Sequence, residues 1–169
     1  TLSLHDALPI SATIGDMHVS SLLYADDILL LSTTEEGLQS SVQKLSAFCK
    51  EWDLKINVSK TKVTVFNRGG KLINIKITLD GQVLESAESY KYLGLIFTLN
   101  GKKSVAKSDL GKRGSKALFK MKSMFKNASV SYETIMHLFD HVTKPILLYG
   151  SDIWGHTLLK NGHINLNTL

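Results

Sequence analysis

The chain has 169 residues, 43% of them hydrophobic and 21% charged, and a net charge of +5. That composition leaves room for a real core in one domain, or a domain with an appendage, and the basic balance permits an anionic partner without proving one. Cys49 is the only cysteine, which excludes an internal disulfide and fits an intracellular chain, in the nucleus or the cytoplasm; no apolar run reaches the ~18 residues of a membrane span.

Residues Thr1–Ile10, TLSLHDALPI, resemble the conceptual translation of a common sequencing adapter and are set apart from the fold as a processing scar. On that reading His5 and Asp6 carry no chemistry, and the true N-terminal part is missing. Ser11–Val19 reads as an edge strand and turn, with Gly15-Asp16 as the turn signal. Asp16 could be imagined as a metal carboxylate, but its place makes an ordinary turn residue the better reading.

Next comes Leu22-Leu23-Tyr24-Ala25-Asp26-Asp27-Ile28-Leu29-Leu30-Leu31, two adjacent carboxylates inside an apolar run. The flanks Ser20–Tyr24 and Ile28–Ser32 are strand-length. Unpaired charges mid-strand in a core carry a large desolvation cost. The simplest solution is a tight hairpin with the carboxylates at its exposed tip, where they could bind a hard divalent cation through oxygen. Plain polar turn residues would leave the Tyr-Ala before the pair and the apolar flanks unexplained. Tyr24-Ala25-Asp26-Asp27 resembles the reverse-transcriptase motif that carries part of the metal site in the polymerase palm.

Thr33 with Glu36 fits a capping box. Leu38, Val42, Leu45, Cys49 and Trp52, with Phe48 alongside, then mark one face of a helix over Glu35–Asp53. Cys49 on that stripe reads as a core side chain. The period changes to two over Lys55–Asn67, where Thr61, Val63 and Val65 alternate with Lys60, Lys62, Thr64 and Phe66. Leu54–Lys62 resembles the reverse-transcriptase motif after the palm helix, in which a lysine is implicated in donating a proton to pyrophosphate; Lys60 is the best match and Lys62 the runner-up. Without the resemblance both read as solvated lysines on an edge strand.

Arg68-Gly69-Gly70 is expected to close a hairpin onto a strand over Leu72–Leu79, with Asp80-Gly81 as a strong two-residue turn before Val83-Leu84. Tyr90–Thr98 reads as one strand whose Gly94 lets another backbone approach. Its Tyr92-Leu93-Gly94 resembles the primer-grip motif, a hairpin that holds the 3′ end of the growing strand.

Beyond Asn100-Gly101 the composition shifts. Nine of the 20 Lys and Arg fall between Lys102 and Lys126, with Asp109 as the one acid. Lys112, Lys116 and Lys120 share a helix face, and like charges at that spacing repel unless an anion neutralises them. A phosphate backbone and a merely solvated face are equal readings for the isolated run. Leu118, Met121, Met124 and Phe125 are expected to supply the buried face. Gly111–Lys116 lacks the spacing of a phosphate loop. Ser131 is expected to cap a second helix with Ile135, Leu138, Phe139 and Val142 as its apolar face, kinked or ended by Pro145. His137 and His141 lack the glutamate of a zincin and read as ordinary helix histidines. Asn57-Val58-Ser59 and Asn127-Ala128-Ser129 read as chance glycosylation matches. Pro145–Gly155 resembles a stretch typical of non-LTR (LINE-like) retrotransposon polymerases, and Asn161–Leu169 reads as a polar tail.

The resemblance implies an α+β fold: a partial polymerase palm over residues 11–100, an antiparallel sheet backed by a helix, then a thumb-like helical region over 101–160. It implies RNA-directed DNA synthesis by two-metal nucleotidyl transfer with Mg²⁺ or Mn²⁺. The expected partners are an RNA template, a DNA primer and deoxynucleoside triphosphates. Asp26 and Asp27 would hold the metals and Lys60 would be the general acid. Tyr24, Tyr92, Leu93, Gly94, Lys112, Arg113, Lys116 and Lys120 would touch nucleic acid. The family's fingers, first palm aspartate and glycine-containing nucleotide-selecting segment have no counterpart here, so the chain alone is expected to be inactive. A non-catalytic nucleic-acid-binding remnant is the alternative. A nucleotide cyclase ranks last, because Tyr-Ala precedes the acids and a lysine-rich tail follows.

Overall fold

The structure, a computed structural model, describes residues 12–14, 16–126, 129–155, 159–160 and 163–164. The adapter-like Thr1–Ile10, Ser11, Gly15, Asn127-Ala128 and most of the polar end after Asn161 lie outside the described residues. Helices and two-stranded β pairs make an α+β fold. It divides into two compact units, residues 1–65 with 71–88 and residues 66–70 with 89–169, so Asn100-Gly101 falls inside the second. No helix among the described residues is long and apolar enough to cross a membrane.

In the first unit β1 (Ala12–Ile14) pairs antiparallel with β2 (Met17–Val19). β3 (Ser21–Tyr24) pairs antiparallel with β4 (Asp27–Leu30) across a two-residue loop. α1 spans Glu35–Glu51. Its cap differs from the expected Thr33–Glu36 box: Thr34 is the N-cap, and its Oγ1 accepts from the Gly37 N–H at 3.1 Å. Glu35 and Glu36 then both sit in the first turn, where the helix dipole favours them. Val42, Leu45 and Cys49 are buried, as their spacing implies, but Trp52 caps the helix in solvent.

The β structure after α1 is sparser than expected. β5 (Lys62–Val63) pairs with β8 (Glu85–Ser86) in parallel, and β6 (Thr78–Leu79) with β7 (Gln82–Val83) antiparallel. The described strands pair only two by two instead of forming one antiparallel sheet. The strand expected from Leu72 is confined to its last two residues, and α1 explains why. Gln39 acts as a substitute strand partner: its Oε1 accepts from the Thr78 N–H at 2.7 Å and its Nε2 donates to the Thr78 carbonyl at 2.9 Å. Glu35 accepts from the Lys76 N–H at 3.0 Å. Backbone groups satisfied by a helix need no neighbouring strand. The core gathers Val42, Val63, Ile77, Leu79 and Leu84, with Leu30 and Leu38 against it. The Asp80-Gly81 turn forms as read, with positive φ at both positions.

In the second unit Tyr90–Thr98 is not one strand. β9 (Ser89–Tyr92) and β10 (Leu95–Thr98) form an antiparallel hairpin closed by Leu93-Gly94. Arg68-Gly69-Gly70 joins no pair of strands; instead the Asn67 N–H donates to the Leu99 carbonyl at 2.8 Å. α2 spans Ser104–Met124 and buries Ala106, Leu110 and Gly114. The expected buried face fails at its far end, where Leu118 and Met124 are exposed. The helix turns its N-terminal half to the core and packs Gly114 against Leu147, so close that a Cβ at Gly114 would stand 2.4 Å from Leu147 Cδ2.

Ser131 caps α3 (Tyr132–Leu138), as expected, accepting from the Thr134 N–H at 3.2 Å. A π-helical turn, Phe139–Thr143, leads into α4 (Lys144–Leu147). Pro145 therefore does not end the helix. The wider turn before it absorbs the missing donor and ring. α5 covers Ser151–Trp154, and short strands β11 (Leu159–Lys160) and β12 (His163–Ile164) pair antiparallel. Leu95, Leu110 and Trp154, with Phe97, form the core of this unit.

Candidate functional site

A hydrophobic run interrupted by two charges folds back on itself because only a reversal lets both charges reach water. The loop residues of the β3–β4 hairpin are Ala25 and Asp26, and Asp27 opens β4 opposite Tyr24. Opposed residues share a face of the ribbon. Tyr24, 63% exposed, and Asp27 therefore stand side by side, while Leu30 and Ser21 root the other face. Asp26 and Asp27 are both exposed. Among the described residues neither carboxylate takes an ion pair or a side-chain hydrogen bond. The loop is closed at a cost: Ala25 has φ +53°, a conformation that ordinarily belongs to glycine in such turns.

Two exposed, unneutralised carboxylates on a stiff ribbon are hard oxygen donors that suit Mg²⁺ or Mn²⁺, which complete their coordination with water or substrate phosphate. No group of three or more His, Cys, Asp or Glu gathers among the described residues, so among them this tip offers two carboxylate donors. Asp16 is exposed in the turn between β1 and β2. His137 and His141 stack on each other with ring centroids 4.0 Å apart, and His141 Nδ1 bonds the His137 carbonyl at 2.7 Å.

Of the two candidate lysines, Lys62 pairs with Glu85 across β5 and β8. Lys60 is exposed in a turn built by Asn57, whose Oδ1 accepts from the Lys60 N–H at 3.2 Å. Among the described residues the Lys60 ammonium has no partner.

Tyr92, Leu93 and Gly94 lie in the second unit at the β9–β10 loop, with φ +45° at Leu93 and +81° at Gly94. Both loop carbonyls are held. Tyr149 Oη donates to the Leu93 carbonyl at 2.5 Å, and Arg113 Nη2 to the Gly94 carbonyl at 2.9 Å. Arg113 also pairs with Asp109, Nε to Oδ2 at 2.9 Å. Arg113 thus anchors the hairpin and stands apart from Lys112, Lys116 and Lys120, which are exposed along α2. The close approach at Gly94 comes from a side chain and not a backbone: Tyr149 Cε1 lies 3.2 Å from where a Cβ would sit. Trp154 Nε1 donates to the Tyr149 carbonyl at 2.9 Å and fixes that segment in turn. Sequence reasoning missed the role of Tyr149, because a hydrogen bond between residues 56 positions apart leaves no local signature.

Two other groups have shifted acidities. The Lys50 ammonium, then the Ser46 hydroxyl, hydrogen-bond Asp80 and hold its carboxyl below the usual range. Burial, aided by the negative charge of Asp80, pushes the Cys49 thiol up. A raised thiol is an inert one, in keeping with a core side chain.

Residues 6–97 match the family described as "Reverse transcriptase (RNA-dependent DNA polymerase)". The match begins inside the segment that resembles an adapter. The chain is 30% identical over 149 residues to "Probable RNA-directed DNA polymerase from transposon BS" of Drosophila melanogaster, covering 82% of this chain and 16% of that protein. It is 30% identical over 96 residues to the Pol polyprotein of the type-1 retrotransposable element R2 of Nasonia vitripennis, 52% of this chain and 9% of that protein. "RNA-directed DNA polymerase from mobile element jockey" of Drosophila melanogaster is 24% identical over 152 residues, 84% of this chain and 16% of that protein. The chain thus spans about a sixth or less of these relatives. No solved structure matches it.

Proposed function

The chain belongs to the reverse transcriptase (RNA-dependent DNA polymerase) family, and from that premise we propose that it is part of the catalytic core of an RNA-directed DNA polymerase of a non-LTR retroelement. The first unit corresponds to part of the palm and α2 to a thumb helix. An RNA template, a DNA primer and deoxynucleoside triphosphates are the substrates, inside the cell. The observation that carries this reading is the β3–β4 tip: two carboxylates, exposed and unneutralised, beside an exposed tyrosine.

Asp26 and Asp27 would hold Mg²⁺ or Mn²⁺, which supplies Lewis-acid activation of the primer 3′-hydroxyl and neutralises charge on the leaving pyrophosphate. Tyr24, on the face of Asp27, contacts the template–primer. Lys60 donates a proton to pyrophosphate; the pairing of Lys62 with Glu85 favours Lys60 over its neighbour. Tyr92, Leu93 and Gly94 present the primer end, on a loop whose carbonyls are already occupied and whose shape is therefore fixed. Lys112, Lys116 and Lys120 neutralise phosphates, so affinity falls steeply with salt.

With two carboxylate donors at the tip among the described residues, polymerisation requires further residues of the family's metal site, and the 169 residues alone extend no primer. Primer extension with Mg²⁺ tests the inactivity: incorporation by the purified chain would refute it. Mn²⁺ uptake followed by electron paramagnetic resonance, with template–primer present, tests the site. Uptake should disappear in Asp26→Asn with Asp27→Asn at an unchanged urea midpoint, and unchanged uptake sinks the assignment. The two-donor set also favours a second reading, a binding remnant without catalysis. In that case salt-sensitive nucleic-acid binding survives Asp26→Ala, and restoring the upstream region of the family brings no Mg²⁺-dependent synthesis.

A further inference from the structure

Phe119 is the most exposed large hydrophobic side chain among the described residues, at 76%. It stands nine residues from the buried Leu110 on α2. At about 100° per residue that spacing puts it on the opposite pole of the helix. By the same rotation Lys112 lies about 20° from it, and Lys116 and Lys122 about 60° to either side. All three lysines are exposed. Among the described residues none has an ion-pair partner, and the nearest acid, Asp109, is taken by Arg113.

A lone exposed apolar residue needs no explanation. An aromatic ring at the centre of an unneutralised lysine face is a narrower case. A solvated helix face would carry a polar residue there, and a protein-docking face would place further apolar residues beside the ring. Of the apolar side chains nearby in sequence, Leu118 is turned about 100° away to the flank of the helix and Met121 about 160° away, toward the pole of Leu110. Cations spaced around one flat π surface match a polyanion that also offers a flat face, which is the description of a nucleic-acid strand with an unpaired base. A duplex interior would first have to be unstacked, at a few kcal/mol per step.

We propose that Phe119 is a stacking platform for an unpaired base of the bound strand, with Lys112, Lys116 and Lys122 gripping the phosphates on either side. This rests on the reading of α2 as the phosphate-binding helix and adds a contact to the base itself. It distinguishes a single-stranded overhang from a blunt duplex without reading its sequence, because every base has a π face.

The test measures binding of the chain to an RNA–DNA hybrid with a single-stranded template overhang and to the same hybrid with blunt ends, by fluorescence anisotropy across a salt series. A 2-aminopurine placed at successive overhang positions reports stacking. Phe119→Ala should weaken overhang binding about tenfold, 1.4 kcal/mol and within the range for one base–aromatic stack. It should leave blunt binding within twofold, leave the salt slope unchanged and relieve 2-aminopurine quenching. Phe119→Tyr should bind as the parent does, and Phe119→Leu should behave as the alanine variant. Such an exposed side chain can be changed without unfolding the helix, and an unchanged urea midpoint checks this.

Overhang binding by Phe119→Ala or Phe119→Leu within twofold of the parent overturns the stacking role. If Lys112→Ala with Lys116→Ala still lowers the salt slope in that case, the phosphate-binding reading survives alone. A parent chain whose affinity shows no salt dependence overturns both.

Discussion

Gly150 is the position where the backbone and the packing object to a side chain at once. Its φ is +67°, and a Cβ there would stand 2.7 Å from Leu95 Cδ1 and 3.3 Å from Cδ2. Leu95 is buried with Leu110 and Trp154, so yielding to a new methyl group means repacking that core. An alanine in this conformation costs about 1–2 kcal/mol. Overpacking a filled core adds typically 1–3 kcal/mol. Gly150→Ala should therefore lower the stability of the second unit by about 2–5 kcal/mol, a large share of what a domain has. Two controls separate the contributions. Gly101 has φ +65° with nothing within 4 Å of its Cβ position, so Gly101→Ala should cost only the backbone part, about 1–2 kcal/mol. Gly111 lies inside α2 with open space around it, so Gly111→Ala should stabilise by roughly 0.5–1 kcal/mol. The assay is urea unfolding in a Trp52→Phe background, where the exposed Trp52 is silenced and fluorescence reports the buried Trp154. If Gly150→Ala costs no more than Gly101→Ala, the packing of Leu95 against this turn is wrong.

Thr34→Ala should cost about 1 kcal/mol in urea unfolding, whereas Thr33→Ala should stay within about 0.5 kcal/mol; the reverse order would restore the expected cap. The Asp80 carboxyl is depressed in the fold, so its contribution is complete above its ordinary value of 3.8 and is lost as pH falls through the lowered one. Asp80→Asn should flatten the acid limb of the stability curve, and an unaltered limb refutes the Lys50–Asp80 pairing. The Cys49 thiol is raised above its ordinary 9.0, and its reaction with a disulfide reagent at pH 8 should be on the order of 100-fold slower than in urea, since reaction waits on opening; rapid labelling would place the thiol outside the core. Ala25→Gly should stabilise the first unit by about 1 kcal/mol by removing a left-handed alanine, and a loss of stability would mean that the loop is not strained.

How far the chain could be read beforehand followed the range of the forces involved. The β3–β4 hairpin was legible because its cause is local: charges need water and the apolar flanks do not. Asp80-Gly81 and the Ser131 cap were legible for the same reason. The β9–β10 hairpin was hidden because Leu93 carries no turn signal, and its positive φ is held by Tyr149 and Arg113 from far along the chain. Leu72–Leu79 looked like one strand because its apolar residues alternate, yet at Lys76 and Thr78 the backbone is bonded by the side chains of Glu35 and Gln39 on a helix. The buried face of α2 is hard to place from sequence because the large apolar residues near its end, Leu118 and Met124, are exposed. The true contact runs through Ala106, Leu110 and Gly114, whose four-residue spacing was in the sequence, but whose small members mark a seam only once Leu147 is seen against it. At the candidate site, residue types and their places on the turns could be read, while the choice between Lys60 and Lys62 needed Glu85.

Strain offers an independent reason to associate function with the two loops. Among the described residues four non-glycine positions have positive φ: Ala25, Asp53, Asp80 and Leu93. Asp tolerates that region because its short side chain bonds locally. Ala25 and Leu93 have no such compensation, and each carries on the order of 1–2 kcal/mol. Strain of that kind persists only where surrounding structure over-determines it, and it concentrates at sites of binding and chemistry. At Ala25 the over-determination comes from the pairing Tyr24↔Asp27 and Leu23↔Ile28. At Leu93 it comes from the two donors on the loop carbonyls. A relaxed, longer loop would satisfy the backbone at either place, but it would let the side chains it carries wander. A two-residue loop with positive φ matches the twist of its strands and leaves the tip a single shape. The same two loops hold Asp26 beside Asp27 and Leu93 beside Gly94, so the residues assigned to cations and to a primer end sit where the chain sacrifices stability to fix a position.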